Sequence, residues 1–448
     1  MKKPDKKSLS TSKLLALGFL IIIVTGAVLL CFPISSETHT YTPFLDCLFT
    51  STSAVCVTGL VVLDTGTHWS AFGQIVIICL VQIGGIGFMS FATFVLLIAR
   101  RKISMQNRIV LKDSYNISHA GGIVRIAKHV LIFTFATELI GALLCMTTFI
   151  PRYGAAKGIG VSIFHSIAAF CNSGFDVLGN FKSLTEYAAH PYILTVTSAL
   201  VLIGGLGFFV MEDVFTCGKN FKSLTFHTKL VLSTTFVLII FGAAAIFIFE
   251  YNNPDTLGSL SMRDKIVESF FNSITPRTAG FNSVNMPSLT SISTLVIIFL
   301  MFIGGSPGST AGGIKTTTIS VLLITVYSWI KGKENIDVFH RRIGYNTLKK
   351  SITITILTIL LILLDIFILS LTESGTFRQI VFEVFSAFGT VGLTMNFTPL
   401  LSTAGKIVII TAMYIGRLGP LTIALAISKQ TSNSEGKYQY PEGDILLG

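Results

Sequence analysis

Charge is scarce in this chain. Of its 448 residues only 12% are Asp, Glu, Lys or Arg, whereas 51% are apolar. A soluble domain keeps a wide polar exterior even when large, so this composition excludes a water-soluble globular protein. Cysteine is scarce too. The seven cysteines are scattered, mostly through apolar segments, with no C-x-x-C or paired Cys/His spacing, which argues against a zinc centre or a disulfide framework. A Ser/His/Asp arrangement, a phosphate-binding loop and H-E-x-x-H are all missing. Catalysis and direct ATP binding therefore have no home here, and neither an enzyme nor a bound cofactor is expected. Nor is there a basic, aromatic-rich module of the kind that grips nucleic acid.

What the chain has instead is long apolar runs. A bilayer core of roughly 30 Å takes about 20 apolar residues in a helix, and eight runs qualify: 14–32, 73–99, 126–150, 192–215, 230–249, 295–330, 352–371 and 407–427. The first follows MKKPDKK like a secretory leader, but Leu29-Leu30-Cys31 lacks the small residues of a cleavage or lipidation site. An uncleaved first helix is expected. Basic residues gather at 1–13, 100–128, 219–229, 331–350 and the C-terminus, and the alternate segments hold few. Positive flanks stay cytoplasmic, so both termini are expected inside. The net charge of +11 then reflects topology.

The outward segments carry a repeat. Each has a mildly apolar stretch too short to span, followed by a glycine in a short polar run: VCVTGL, FCNSGF, PRTAGF and GTVGL. Their glycines, Gly59, Gly174, Gly280 and Gly392, lie 115, 106 and 112 residues apart. A second element follows each one: IGGIGF from Ile83, IGGLGF from Ile203, IGGSPG from Ile303 and IGRLGP from Ile415. Its first glycine comes 25, 30, 24 and 24 residues after the preceding one. Paired signals at matching offsets mark tandem units, with boundaries expected at 1–112, 113–222, 223–345 and 346–448. The expected fold is an all-α integral membrane protein, in which each unit is an outer helix, a short pore helix, a glycine-containing strand and an inner helix. Four units would stand pseudo-four-fold around one axis.

Backbone that is neither helix nor barrel is tolerated at membrane depth only where it is buried or lines a watery cavity. Four such segments around an axis can turn their carbonyls inward and replace the hydration shell of a cation. Glycine permits the backbone angles required and keeps side chains out of the path. The expected ligands are carbonyls of Val57, Thr58 and Gly59, of Asn172, Ser173 and Gly174, of Thr278, Ala279 and Gly280, and of Thr390, Val391 and Gly392. The plainer reading, that these glycines only make tight turns, leaves the coupled downstream element unexplained. Asp64 and Arg277 flank the segments and are expected to support them through hydrogen bonds.

These residues, VCVTGL with VVLDTGTHWS, PRTAGFNS, IGGSPGSTAGGIKTTT and FGTVGLT, resemble the Trk/Ktr/HKT superfamily of cation transporters, over nearly the whole chain. The short N-terminus is most similar to the Ktr-type (KtrB-like) membrane subunit. The resemblance implies a potassium-translocating subunit in the bacterial cell membrane, surrounded by lipid and paired as a homodimer. It also implies a cytoplasmic nucleotide-binding ring of RCK type (KtrA-like), so that ATP or ADP is bound only by the partner. In this superfamily Ser in place of the first filter glycine goes with sodium preference; four glycines imply potassium, and the resemblance leaves room for stimulation by sodium.

The third inner segment, Gly304-Gly305-Ser306-Pro307-Gly308-Ser309-Thr310-Ala311-Gly312-Gly313, sets five glycines and a proline in an apolar run. Both residues are costly in a helix interior, so the helix is expected to break into a loop. Such a loop is either a movable gate, as the resemblance also implies, or a fixed kink. Lys315 follows it and could help hold its closed form. Arg417 replaces the second glycine of the fourth I-G-G. A charge at that depth needs the pathway or a partner: Arg417 is either a barrier facing the ions, which the resemblance favours, or a tie to carbonyls of the broken helix. Glu138, Asp365 and Glu383 lie in or beside apolar runs with no role the sequence assigns. The competing mechanism is an alternating-access cation symporter, but every unit begins and ends inside, whereas that class is commonly built on inverted repeats.

Overall fold

The computed structural model describes residues 11–87, 123–217 and 220–427. The first quarter runs α1 (Thr11–Cys31), α2 (Phe44–Cys56) and α3 (Ala71–Ile86). The second runs α4 (Ile123–Tyr153), α5 (Ala155–Phe170), α6 (Pro191–Leu206) and α7 (Phe208–Cys217). The third holds α8 (Phe226–Glu250), α9 (Met262–Ile274), α10 (Ser291–Phe302), α11 (Thr316–Ile330) and a small hairpin, β1 (Asp337–Val338) with β2 (Arg341–Arg342). The fourth holds α12 (Tyr345–Thr372), α13 (Phe377–Gly389), α14 (Thr403–Leu418) and α15 (Pro420–Ile427).

The outer helices α1, α4, α8 and α12 are long and apolar enough to cross a membrane unbroken. Large side chains on them, such as Ile21, Leu139, Phe236 and Phe367, stand more than 60% exposed. Rows of this kind would be a liability in water, and in a bilayer they are the solvated face. The chain is a multi-pass membrane protein.

Of the short helices α2, α5, α9 and α13, the first three are tied to their outer helices by serine hydroxyls. Ser51 on α2 donates to Ile23 O at 2.7 Å, Ser166 on α5 to Glu138 O at 2.6 Å, and Ser273 on α9 to Ile239 O at 2.8 Å. Three residues along each outer helix, Gly26, Gly141 and Gly242 leave room for the serine. A Cβ on any of them would come within 2.5 Å of that hydroxyl. The inner helices pack by glycine as well. A Cβ on Gly84, Gly204 or Gly416 would fall 2.0, 1.9 or 2.0 Å from Val55 O, Phe170 O or Phe388 O near the end of a short helix. Side-chain caps at Ser70, Thr290 and Ser402 start α3, α10 and α14.

The inner runs differ from the continuous spans expected. The helices stop at Ile86, Leu206 and Leu418, each followed by a glycine at positive φ: Gly87 at 87°, Gly207 at 96° and Gly419 at 85°. Such angles end an α-helix, and glycine alone adopts them cheaply. The run 192–215 is therefore an elbow, with α6 and α7 bent by 95°. The run 407–427 is two helices, and the part of 73–99 beyond residue 87 lies outside the described residues. The run 295–330 breaks between Phe302 and Thr316, as its glycines predict.

First and last quarters meet. Inner helix α14 packs on α2 and α15 on α1, Tyr414 donates to Ala16 O at 2.6 Å, and Lys406 pairs with Asp46 at 2.6 Å.

Candidate functional site

Each short helix ends in the same way. A non-glycine residue turns left-handed, Val57 at φ 59°, Asn172 at 60°, Thr278 at 74° and Thr390 at 50°. Gly59, Gly174, Gly280 and Gly392 then follow at 92°, 66°, 78° and 94°. These segments are not the strands expected from the sequence, because alternating left-handed residues cannot form a ladder. Hydrogen bonds back to the helix fix the turn: Thr58 N to Ser53 O at 2.8 Å, Ser173 N to Ala168 O at 2.9 Å, Gly280 N to Thr275 O at 3.3 Å and Val391 N to Ser386 O at 2.8 Å. Positive φ at non-glycine residues costs free energy and persists only where the surroundings enforce it.

The four glycines converge. The side-chain direction of Gly59 faces Ser173 O at 2.3 Å, that of Gly174 faces Ala279 O at 2.9 Å, that of Gly280 faces Val391 O at 2.3 Å, and that of Gly392 faces Thr58 O at 2.2 Å. Each carbonyl belongs to the residue just before the next glycine, and the fourth contact returns to the first segment. The result is a closed ring of backbone. All four glycines line one cavity of about 760 Å³, whose walls also carry Asp64, Asp176, Asn180 and Asn285.

Buried hydroxyls and carboxylates brace the ring. Asp64 accepts from Thr67 N at 3.0 Å and from Phe181 N at 2.9 Å, tying the turns after the first and second segments. Glu383 on α13 accepts from Thr394 at 2.7 Å and from Thr398. Glu138 on α4 accepts from Gln82 Nε2 at 2.9 and 3.1 Å. Both carboxylates thus meet neutral donors rather than basic side chains. Asp365 is half-buried on α12. The Arg277 guanidinium donates at 3.4 Å to Thr235 Oγ1 on α8 rather than to a group of its own segment.

The break in the third inner segment forms a loop wedged between the second and fourth quarters. Ser306 N donates to Gly205 O at 3.1 Å, Thr310 N to Gly204 O at 3.3 Å, and Phe208 N in the elbow to Gly308 O at 2.9 Å. Thr310 Oγ1 reaches Phe170 O at 3.2 Å, while Gly312 and Gly313 abut Thr390 and Gly389. Lys315 Nζ donates to Ala311 O at 2.7 Å and Gly312 O at 3.4 Å. Arg417 donates to Thr310 O and to Gly84 O. It joins loop, first inner helix and fourth inner helix at one point, which is the geometry of a tie. The elbow at Gly207 escaped the sequence reading. Its signal was the last glycine of I-G-G-I-G, I-G-G-L-G and I-G-R-L-G, which the third copy displaces by one residue.

Comparison with known proteins agrees with this architecture. The model of the TrkH family, described as cation transport protein, matches residues 14–437. The chain is 42% identical to the potassium/sodium uptake protein NtpJ of Enterococcus hirae, covering 100% of this chain and 99% of that one. It is also 42% identical to the Ktr system potassium uptake protein B of Bacillus subtilis, covering 97% and 96%. The crystal structure of the potassium transporter TrkH from Vibrio parahaemolyticus superposes with a TM-score of 0.72 at 17% identity, over 96% of this chain and 86% of that one. The chain belongs to the TrkH family of cation transport proteins, within the Trk/Ktr superfamily and of the Ktr B-like type.

Proposed function

We propose that this chain is the potassium-translocating subunit of a Ktr-type uptake system, conducting ions through the ring of four glycine segments. The single observation that carries the reading is the closure of that ring: four backbone segments, separated by about a hundred residues each, meet carbonyl to glycine around one cavity. Carbonyl oxygens fixed in a ring can replace a hydration shell without reorganising. The ligands are the carbonyls of the residues at 57–59, 172–174, 278–280 and 390–392. We assign four tandem units, 1–112, 113–222, 223–345 and 346–448; the left-handed turn and ring glycine that recur in all four support the repeat.

The loop at 304–313 is the gate, and Arg417 with Lys315 holds it shut. The loop's contacts with Phe170, Gly389 and Thr390 support this, since those residues end the second and fourth short helices. A guanidinium beside the pathway also opposes a cation there. Potassium is the substrate, with sodium as a stimulating ion. The relatives named as Ktr system proteins support a partner; we assign it as a cytoplasmic nucleotide-binding ring, with two copies of this chain sharing one ring.

The test is potassium uptake into transport-deficient cells or liposomes by this protein, Gly280→Ser and Gly392→Ser. Selective uptake that loses affinity or admits sodium in the variants supports the filter. Unchanged affinity and selectivity in folded variants would sink it and favour alternating access.

A further inference from the structure

Arg277 is an anomaly in this site. It lies in the third segment, between Pro276 and Thr278, and is 6% exposed. A buried guanidinium has five donors to satisfy. The one partner seen for it is Thr235 Oγ1 at 3.4 Å, and Nε has no acceptor among the described residues. Arg277 lines a cavity of about 10 Å³ with Thr235, Gly205, Leu206 and Gly305. That volume is close to the space one water needs.

We infer that a single buried water in this cavity, held by Arg277, couples the third filter segment to the intramembrane loop. The acceptors are at hand. Gly205 O already takes Ser306 N at 3.1 Å, and Gly305 O takes Thr316 N at 3.0 Å. Each carbonyl keeps a second lone pair, so a water accepting from Arg277 can donate to either. Gly205 sits at the elbow between α6 and α7, and Gly305 at the root of the loop. When the loop withdraws, Gly305 leaves and the water loses an acceptor. The restraint that Arg277 places on 276–280 then changes with the state of the loop. Arg277 is a positioning residue, acting on the ions only through the segment that carries it.

This inference rests on the filter and gate reading, and its test separates the two. Potassium uptake is compared in four proteins: the parent, Arg277→Met, a version shortened within 304–313, and the combination. Loss of one hydrogen-bonded link predicts that Arg277→Met raises the half-saturating potassium concentration about fivefold in the parent and by less than about twofold in the shortened protein. The same fold-change in both backgrounds would mean that Arg277 merely packs, and no change in the parent would overturn the coupling outright. The shortened protein alone tests the gate, through its flux without the partner. If Arg277→Met fails to accumulate in the membrane, Arg277→Lys keeps the charge but not the fork, and the same comparison is made with it.

Discussion

At the scale of single residues, the ring of four glycine segments is a set of close approaches rather than a set of side chains. Gly280 has φ of 78° and its missing Cβ would meet Val391 O at 2.3 Å. Serine there must push that carbonyl out of the ring and adopt an unfavourable angle besides. Gly280→Ser is expected to raise half-saturating potassium by about tenfold, equal to roughly 1.4 kcal/mol of ion binding, measured by uptake at graded potassium. Arg417 offers the second test at this scale. Gln keeps a donor but loses the charge and the fork that spans Thr310 O and Gly84 O. Arg417→Gln is expected to raise flux severalfold in the absence of the proposed regulatory partner, and equal flux would remove it from the proposed gate. The sequence made the glycines and Arg417 visible because the glycines form a pattern, recurring at intervals of 115, 106 and 112 residues, and Arg417 breaks one, the repeated I-G-G. It could not show that Arg277 turns away from its own segment, since that depends on Thr235 lying 42 residues upstream.

At the scale of elements, glycine does two different jobs. Gly204 sits inside α6 because the end of α5 crosses it, and a Cβ there would lie 1.9 Å from Phe170 O. Gly160 on α5 faces open space. Gly204→Ala is therefore expected to cost about 3 kcal/mol or more through overpacking, seen as lost yield and a lower melting temperature in detergent. Gly160→Ala should be neutral or stabilising by up to about 1 kcal/mol. The loop 304–313 belongs to this scale as well. Its backbone is pinned to the elbow by Ser306, Thr310 and Phe208 amides, so removing part of it releases both ends of the contact. Shortened protein is expected to pass several times more potassium without its partner, and unchanged flux from folded protein would argue for a fixed kink. Helix existence was legible from the apolar runs, whereas the elbow was not. Hydropathy continues straight through Gly207, and only its positive φ ends the helix.

At the scale of the whole molecule, the ring closes only if the first and fourth quarters meet, and the seam is visible. Lys406, in the first turn of α14, pairs with Asp46, in the first turn of α2, at 2.6 Å, with side chains 19% and 15% exposed. Asp46 stands at the N-terminal end of α2, where a negative charge is favoured by the helix dipole. Helix α2 leads into Thr58, whose carbonyl faces Gly392, so the pair lies on the seam that completes the ring. Its worth falls between an exposed pair and a fully buried one, about 1–2 kcal/mol. A double-mutant cycle of Asp46→Asn and Lys406→Met, followed by melting in detergent, is expected to return that coupling energy. Either single change should also weaken potassium affinity, because it loosens the contact between Thr58 O and Gly392 from outside. Exchanging the charges, Asp46→Lys with Lys406→Asp, restores attraction and only moves the cation from the start of α14 to the start of α2, so the two helix-dipole terms offset and recovery should be nearly full. Full recovery would mean the pair acts by charge alone, and no coupling would mean that the packing of α14 on α2 holds the seam without it.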